Sequence, residues 1–186
     1  MEITLKNAGR SWEDNPHATL TRGIEWGLMG GVAGMLVVDL LLMGALSIVG
    51  LPPLGCFSMV GNTMRRFFLI MGLDTTGGVP MGVATHYLVG PALGAIFGAA
   101  LIQRGALRVV TLKKHIALAV LYAEIVSQPL FAMIPLLMKM TAPETVVWFI
   151  GSVVMHFLWG IVLGVIVGLG LHLGISSNHR ALGIQL

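Results

Sequence analysis

The sequence predicts an all-α integral membrane protein of four transmembrane helices, built as two parallel two-helix repeats with an interfacial helix in the first outer loop. Three observations carry this. Hydrophobic residues make up 56% of the 186 and charged residues only 10%, with a mean hydropathy of +0.89, whereas a water-soluble domain carries about 25% charge. Four apolar stretches are long enough to cross roughly 30 Å of hydrocarbon at 1.5 Å per helical residue. The third observation is a motif written twice. His86 to Leu101 reads HYLVGPALGAIFGAAL and His156 to Leu171 reads HFLWGIVLGVIVGLGL, identical at eight of sixteen positions with a constant offset of 70. Each copy has His followed by Gly four, eight and twelve residues on, and residues four apart share one helix face. Each helix therefore carries one imidazole above a glycine ridge, the mark of an internal repeat.

The elements follow in order. Residues 1–22 form a polar head with Lys6, Arg10, Glu13, Asp14, His17 and Arg22, and no apolar run reads as a signal peptide. From Trp26 to Val49 the only charge is Asp39, which gives the first span. Gly23, Gly27, Gly30, Gly31 and Gly34 in its first half supply overlapping GxxxG pairs suited to close helix packing, a glycine zipper. Leu51-Pro52-Pro53 ends it, because proline removes a donor and pushes its predecessor out of the α region. In the loop beyond, Phe57, Val60, Met64, Phe67, Phe68 and Met71 recur at helical spacing against Ser58, Asn62, Arg65 and Arg66. That pattern predicts an amphipathic helix in the interface, with Arg65, Arg66, Phe67 and Phe68 at the membrane surface.

A turn at residues 74–80 precedes the second span, about Met81 to Gln103. Arg104, Arg108, Lys113 and Lys114 crowd the next loop. The third span runs from Ile116 to Met138, with Glu124 its only charge and with Pro129 and Pro135 expected to kink it. Pro143 and Glu144 open the fourth, about Thr145 to Gly174, and residues 175–186 make a short polar tail. The transmembrane domain is thus 23–174, with repeat one at 23–104 and repeat two at 112–174. The head, the 104–114 loop and the tail hold eight of the Lys and Arg residues, against Arg65, Arg66 and Lys139 on the other side. The positive-inside rule then puts both termini in the cytoplasm of an inner-membrane protein. A net charge of +3 is too small and scattered to argue for nucleic acid, and a single cysteine, Cys56, allows no intrachain disulfide.

Each repeat has one acid in its first helix, Asp39 or Glu124, and one His in its second, His86 or His156. Acids inside a bilayer normally face the bundle interior and find partners there, so Asp39, His86, Glu124 and His156 are the expected intramembrane polar site, with Ser127 and Gln128 beside it. Several uses are open to this set. The four side chains suit a divalent metal such as zinc, iron or manganese, or a proton path. His86 and His156 could hold a haem b between them. The acids could instead hydrogen-bond the histidines, Ser127 or Gln128 and fix helix register without any ligand. Counting residues inward from the outer ends puts the four at different depths, a ladder of pairs rather than one cage. Met81 and Met155 beside the histidines invite a copper-handling reading, although methionines commonly fill gaps in a core. The packing faces are expected at Gly27, Gly31, Gly90, Gly94, Gly98, Gly160, Gly164 and Gly168.

Thr85-His86 entering the second span, Ser127-Gln128-Pro129-Leu130 in the third, Met155-His156-Phe157-Leu158-Trp159-Gly160 in the fourth and Leu51-Pro52-Pro53-Leu54-Gly55 after the first resemble the YagU-like family of small four-helix inner-membrane proteins. The resemblance covers about residues 27–170 and implies a fold more than an activity. In one member of that family the position of Glu124 holds a His, and Asp39 has no clear counterpart. No nucleophile with a base, no phosphate loop and no soluble domain is present, so an enzyme acting alone is not expected. The reading the sequence favours is a non-catalytic membrane subunit or accessory protein, packed through its glycine faces into a homo-oligomer or a larger complex. A small proton- or metal-coupled transporter or channel is the second reading, and a bis-His haem b carrier in electron transfer the third.

Overall fold

Four helices long and apolar enough to cross a membrane make this an all-helical multi-pass membrane protein. The computed structural model describes residues 16–103 and 111–181, with side chains from 20–103 and 111–171. Among these, five helices follow one another: α1 (Pro16–Ile48), α2 (Gly55–Ile70), α3 (Gly78–Gln103), α4 (Leu112–Met138) and α5 (Ala142–Ala181). Helix α1 begins at Pro16, so residues 16–22 of the expected polar head are already helical; proline suits a first turn, whose N–H groups have no partner within the helix. The rest of the head, the 104–110 part of the basic loop and residues 182–186 lie outside the described residues, and with them Lys6, Arg10, Arg104 and Arg108, half of the eight cations that orient the termini.

Glycine decides which helices touch. Helix α1 runs antiparallel to α3 with Gly23, Gly27 and Gly31 against Gly98, Gly94 and Gly90, so close that a methyl at Gly31 would stand 2.7 Å from the Gly90 carbonyl oxygen. Helix α5 meets α4 through the same glycines of the second motif copy: methyls at Gly160 and Gly164 would reach Cα of Val120 and of Ile116 at 2.6 Å. A second face of α1 receives α5, with Gly30 against Leu163 and Gly34 against Trp159. The Trp159 indole N–H donates to the Gly31 carbonyl at 3.2 Å. Every ridge glycine expected as a packing position thus packs against another helix of the same chain. Trp159, Leu163 and Val167 of α5, Ala119 and Ala123 of α4, and Phe97 and Leu101 of α3 form the core.

The prolines leave carbonyls without partners, and the fold supplies some. Helix α4 continues through Pro129 and Pro135, and α3 through Pro91. Pro135 has no N–H for the Phe131 carbonyl four residues back; the Trp148 indole of α5 donates to that oxygen at 3.2 Å and stacks on the Phe131 ring, centroids 5.3 Å apart. Helix α4 stops at Lys139 in the left-handed conformation, φ 55°. Glu144 accepts from both N–H and hydroxyl of Thr141 at 2.8 and 2.7 Å, a cap for the start of α5.

Helix α2 packs on α3 and, less extensively, on α4. Its inner side is Phe57, Val60, Gly61 and Thr63, and a side chain at Gly61 or Gly82 would collide with backbone across the α2–α3 contact. The Asn62 side-chain oxygen accepts the Gly78 N–H at 2.9 Å and closes the turn into α3. Arg66 donates to the Leu137 carbonyl at the end of α4, at 2.5 Å, while the exposed Arg65 lies 4.0 Å from Asp74. Phe67 and Phe68 are half-buried, with ring centroids 5.9 Å apart.

Candidate functional site: a half-enclosed apolar chamber

Because α1 and α4 end where α3 and α5 begin, the last half of one pair and the first half of the other bound a common space, and α2 walls it on one side. The result is a half-enclosed chamber of about 850 Å³ reached by all five helices, with Leu51, Pro52, Met140 and Pro143 at its end and Trp159 at its base. Its walls are almost wholly apolar and include six methionines.

Two imidazoles stand in those walls, each set in the same way. His86 meets the Phe57 ring edge-on, centroids 5.2 Å apart at 77°, and His156 meets Phe131 at 4.5 Å and 76°. His86 Nδ1 lies 3.2 Å from Asp39 Oδ1. With Asp39 ionised, Nδ1 is the donor of this contact and Nε2 is left as the acceptor facing the chamber. His156 Nδ1 lies 3.3 Å from the Ser152 hydroxyl, one helical turn earlier. Among the described residues neither Nε2 has a hydrogen-bond partner, and both histidines line the chamber. Asp39 stands behind His86 rather than in the wall. It is 5% exposed, its second oxygen has no partner within hydrogen-bonding geometry, and the Tyr87 hydroxyl approaches the same carboxylate.

The other predicted members fall elsewhere. Glu124 accepts from Gln128 of its own helix at 2.8 Å, so it fixes a neighbour rather than a histidine. Ser127 is buried and reaches the chamber wall, whereas Glu124 and Gln128 do not line it. No three His, Cys, Asp or Glu side chains among the described residues gather as metal ligands; Asp39 stands with His86, and Glu124 with Gln128. A metal or a haem would find two imidazole nitrogens here and no carboxylate beside both.

The packing register explains the asymmetry. Gly31 lies against Gly90 and Val120 against Gly160, so the residues four beyond are Met35 and Glu124 and those eight beyond are Asp39 and Gln128. Asp39 therefore corresponds to Gln128, and Glu124 to Met35, whose side chain fills the space above Gly90. The two acids are not counterparts.

Sequence reasoning named Cys56 and Phe57 only in other connections and passed over Phe131 and Ser152. Ser152 carried a usable signal, one turn before His156; the others depend on contacts between distant segments. The Cys56 thiol lines the chamber, and burial, with a smaller contribution from the negative charge of Asp39, pushes it up to about 11. His115, fully buried near the start of α4, also went unremarked. No family model, curated protein or solved structure matches the chain.

Proposed function

We propose that the chain is a small proton-linked membrane carrier that loads its ligand into the half-enclosed chamber. The observation that carries this reading is the joining of two things in one place: a cavity of about 850 Å³, within the roughly 300–1,000 Å³ typical of small-molecule sites, and a wall histidine backed by a buried carboxylate. His86 can take a proton at Nε2 from the chamber while Asp39 holds the ring and balances the imidazolium. The opposite end of the bundle is packed solid around Trp159, Leu163 and Val167, which suits a carrier in a state accessible from one side.

Several finer assignments belong to the same proposal. The matching registers of α1 on α3 and of α4 on α5 support two parallel repeats. The apolar inner face and paired arginines of α2 support its lying in the interface. Membership of the YagU-like group, an inner-membrane location and cytoplasmic termini rest on the short motifs and on the basic loops.

Reconstitution into liposomes with an internal pH dye tests the carrier. Wild-type protein should dissipate an imposed pH gradient faster than protein-free vesicles, and Asp39→Asn and His86→Gln should each remove most of the difference, about tenfold or more, the scale of a lost proton-transfer group. Equal rates for wild type and both variants, with helicity retained, would sink the proposal. Stoichiometric co-purification with other membrane proteins, together with that result, would favour the accessory-subunit reading.

A further inference from the structure

We infer that the chamber takes an uncharged amphiphile of the fatty-alcohol class, seated with its hydroxyl at His86 and His156 and its hydrocarbon chain among the methionines. The inference rests on the carrier reading for its purpose but on separate observations for its content.

Charge comes first. Among the described residues no Lys or Arg lines the chamber, so a carboxylate or phosphate head would be buried without a counter-ion. A cation fares no better, because Asp39 is engaged by His86 and stands behind it, and the rim carboxylate of Glu144 is held by Thr141. An ion taken from water into such walls is strongly disfavoured.

The free hydrogen-bonding groups then specify the head. The hydroxyls of Thr63 and Thr85 also line the chamber, but they donate to carbonyls one turn back in their own helices, Met59 and Met81. The Ser152 hydroxyl, also in the wall, is engaged with His156 Nδ1, which leaves Nε2 of His86, Nε2 of His156 and the Ser127 hydroxyl. His86 presents an acceptor, since its proton is on the Asp39 side. A ligand O–H can donate to it and accept from a neighbouring donor, which a hydroxyl does and a hydrocarbon does not. The long, unbranched thioether side chains around this polar spot adapt to a flexible chain.

Cys56, the only cysteine of the sequence, reports occupancy because it lines the same space. In phosphatidylcholine vesicles at pH 9, alkylation of Cys56 by iodoacetamide, read by intact mass, should slow about fivefold or more with saturating hexadecanol, as mass action requires of an occluding ligand. Palmitate and hexadecylamine should leave the rate within about twofold of the control. Gly151→Phe supplies the second arm. Gly151 lines the chamber and a Cβ there meets nothing within 4 Å, so the ring can fill the space without disturbing a helix contact. This variant should lose quenching of Trp148 and Trp159 by a brominated alcohol that wild type shows, with helicity unchanged. Equal protection by all three probes, stronger protection by either charged one, or none by hexadecanol would overturn the inference. Alcohol protection with proton flux indifferent to Asp39→Asn would keep this ligand class and remove the carrier.

Discussion

At the residue scale, burial does more to the chemistry of the chamber than the residue types do. Cys56 is the clearest case, because its thiolate would sit in apolar surroundings near Asp39. Alkylation proceeds through the thiolate, so the rate should climb about tenfold per pH unit from 7 to 10 and level only near 11, where a solvated cysteine with a pKa of about 8.5 would have levelled earlier. Asp39→Asn removes the nearby negative charge, lowers the thiol pKa and should speed alkylation at any pH below the plateau. A profile that levels near 9 in the wild type would show an exposed thiol and contradict the wall position. None of this was legible from Cys56 as a letter in the sequence. By contrast, His86 and His156 were legible, because a polar residue repeated above a glycine ridge has no apolar explanation.

Element by element, the helices show what spacing can and cannot tell. Span lengths and glycine periodicity were readable because hydrocarbon thickness and the 3.6-residue turn constrain them directly. Which helices the ridges would meet was not readable, since a GxxxG face fits a partner from the same chain as well as one from another. The contacts now separate glycines that look alike in sequence. Gly31→Ala places its methyl 2.7 Å from the Gly90 oxygen and 2.8 Å from Pro91 Cα, both backbone atoms that cannot step aside, and should destabilise by about 1–3 kcal/mol. Gly44→Ala, on the same helix, meets nothing within 4 Å and should stabilise by about 0.5–1 kcal/mol through helix propensity alone. Thermal unfolding followed by circular dichroism in detergent compares the two, and similar melting temperatures would mean that α1 and α3 do not approach as described. Pro135 teaches the same lesson: its kink potential was plain, but the Trp148 indole that answers the orphaned Phe131 carbonyl comes from the next helix, seventeen residues beyond Phe131.

Across the whole molecule, the two halves pack alike and differ in chemistry. Sequence alone paired Asp39 with Glu124, because each is the sole charge of its span; packing pairs Asp39 with Gln128, because register is set by where Gly31 and Val120 land on the ridge glycines. One half thus carries a carboxylate behind its histidine and the other a hydroxyl, Ser152, beside its own. If proton exchange runs through the first half only, Asp39→Asn and His86→Gln act on one unit, and the double variant should be no worse than either single one, the signature of coupled partners. Glu124→Gln keeps the side-chain shape and loses only its charge-assisted bond to Gln128, so it should cost stability by up to about 1–2 kcal/mol while leaving the rate of pH-gradient dissipation within about twofold, since Glu124 does not line the chamber. Flux lost in Glu124→Gln as completely as in Asp39→Asn would mean that the acids act as a symmetric pair after all. Additive losses in the double variant would mean that Asp39 and His86 serve separate steps.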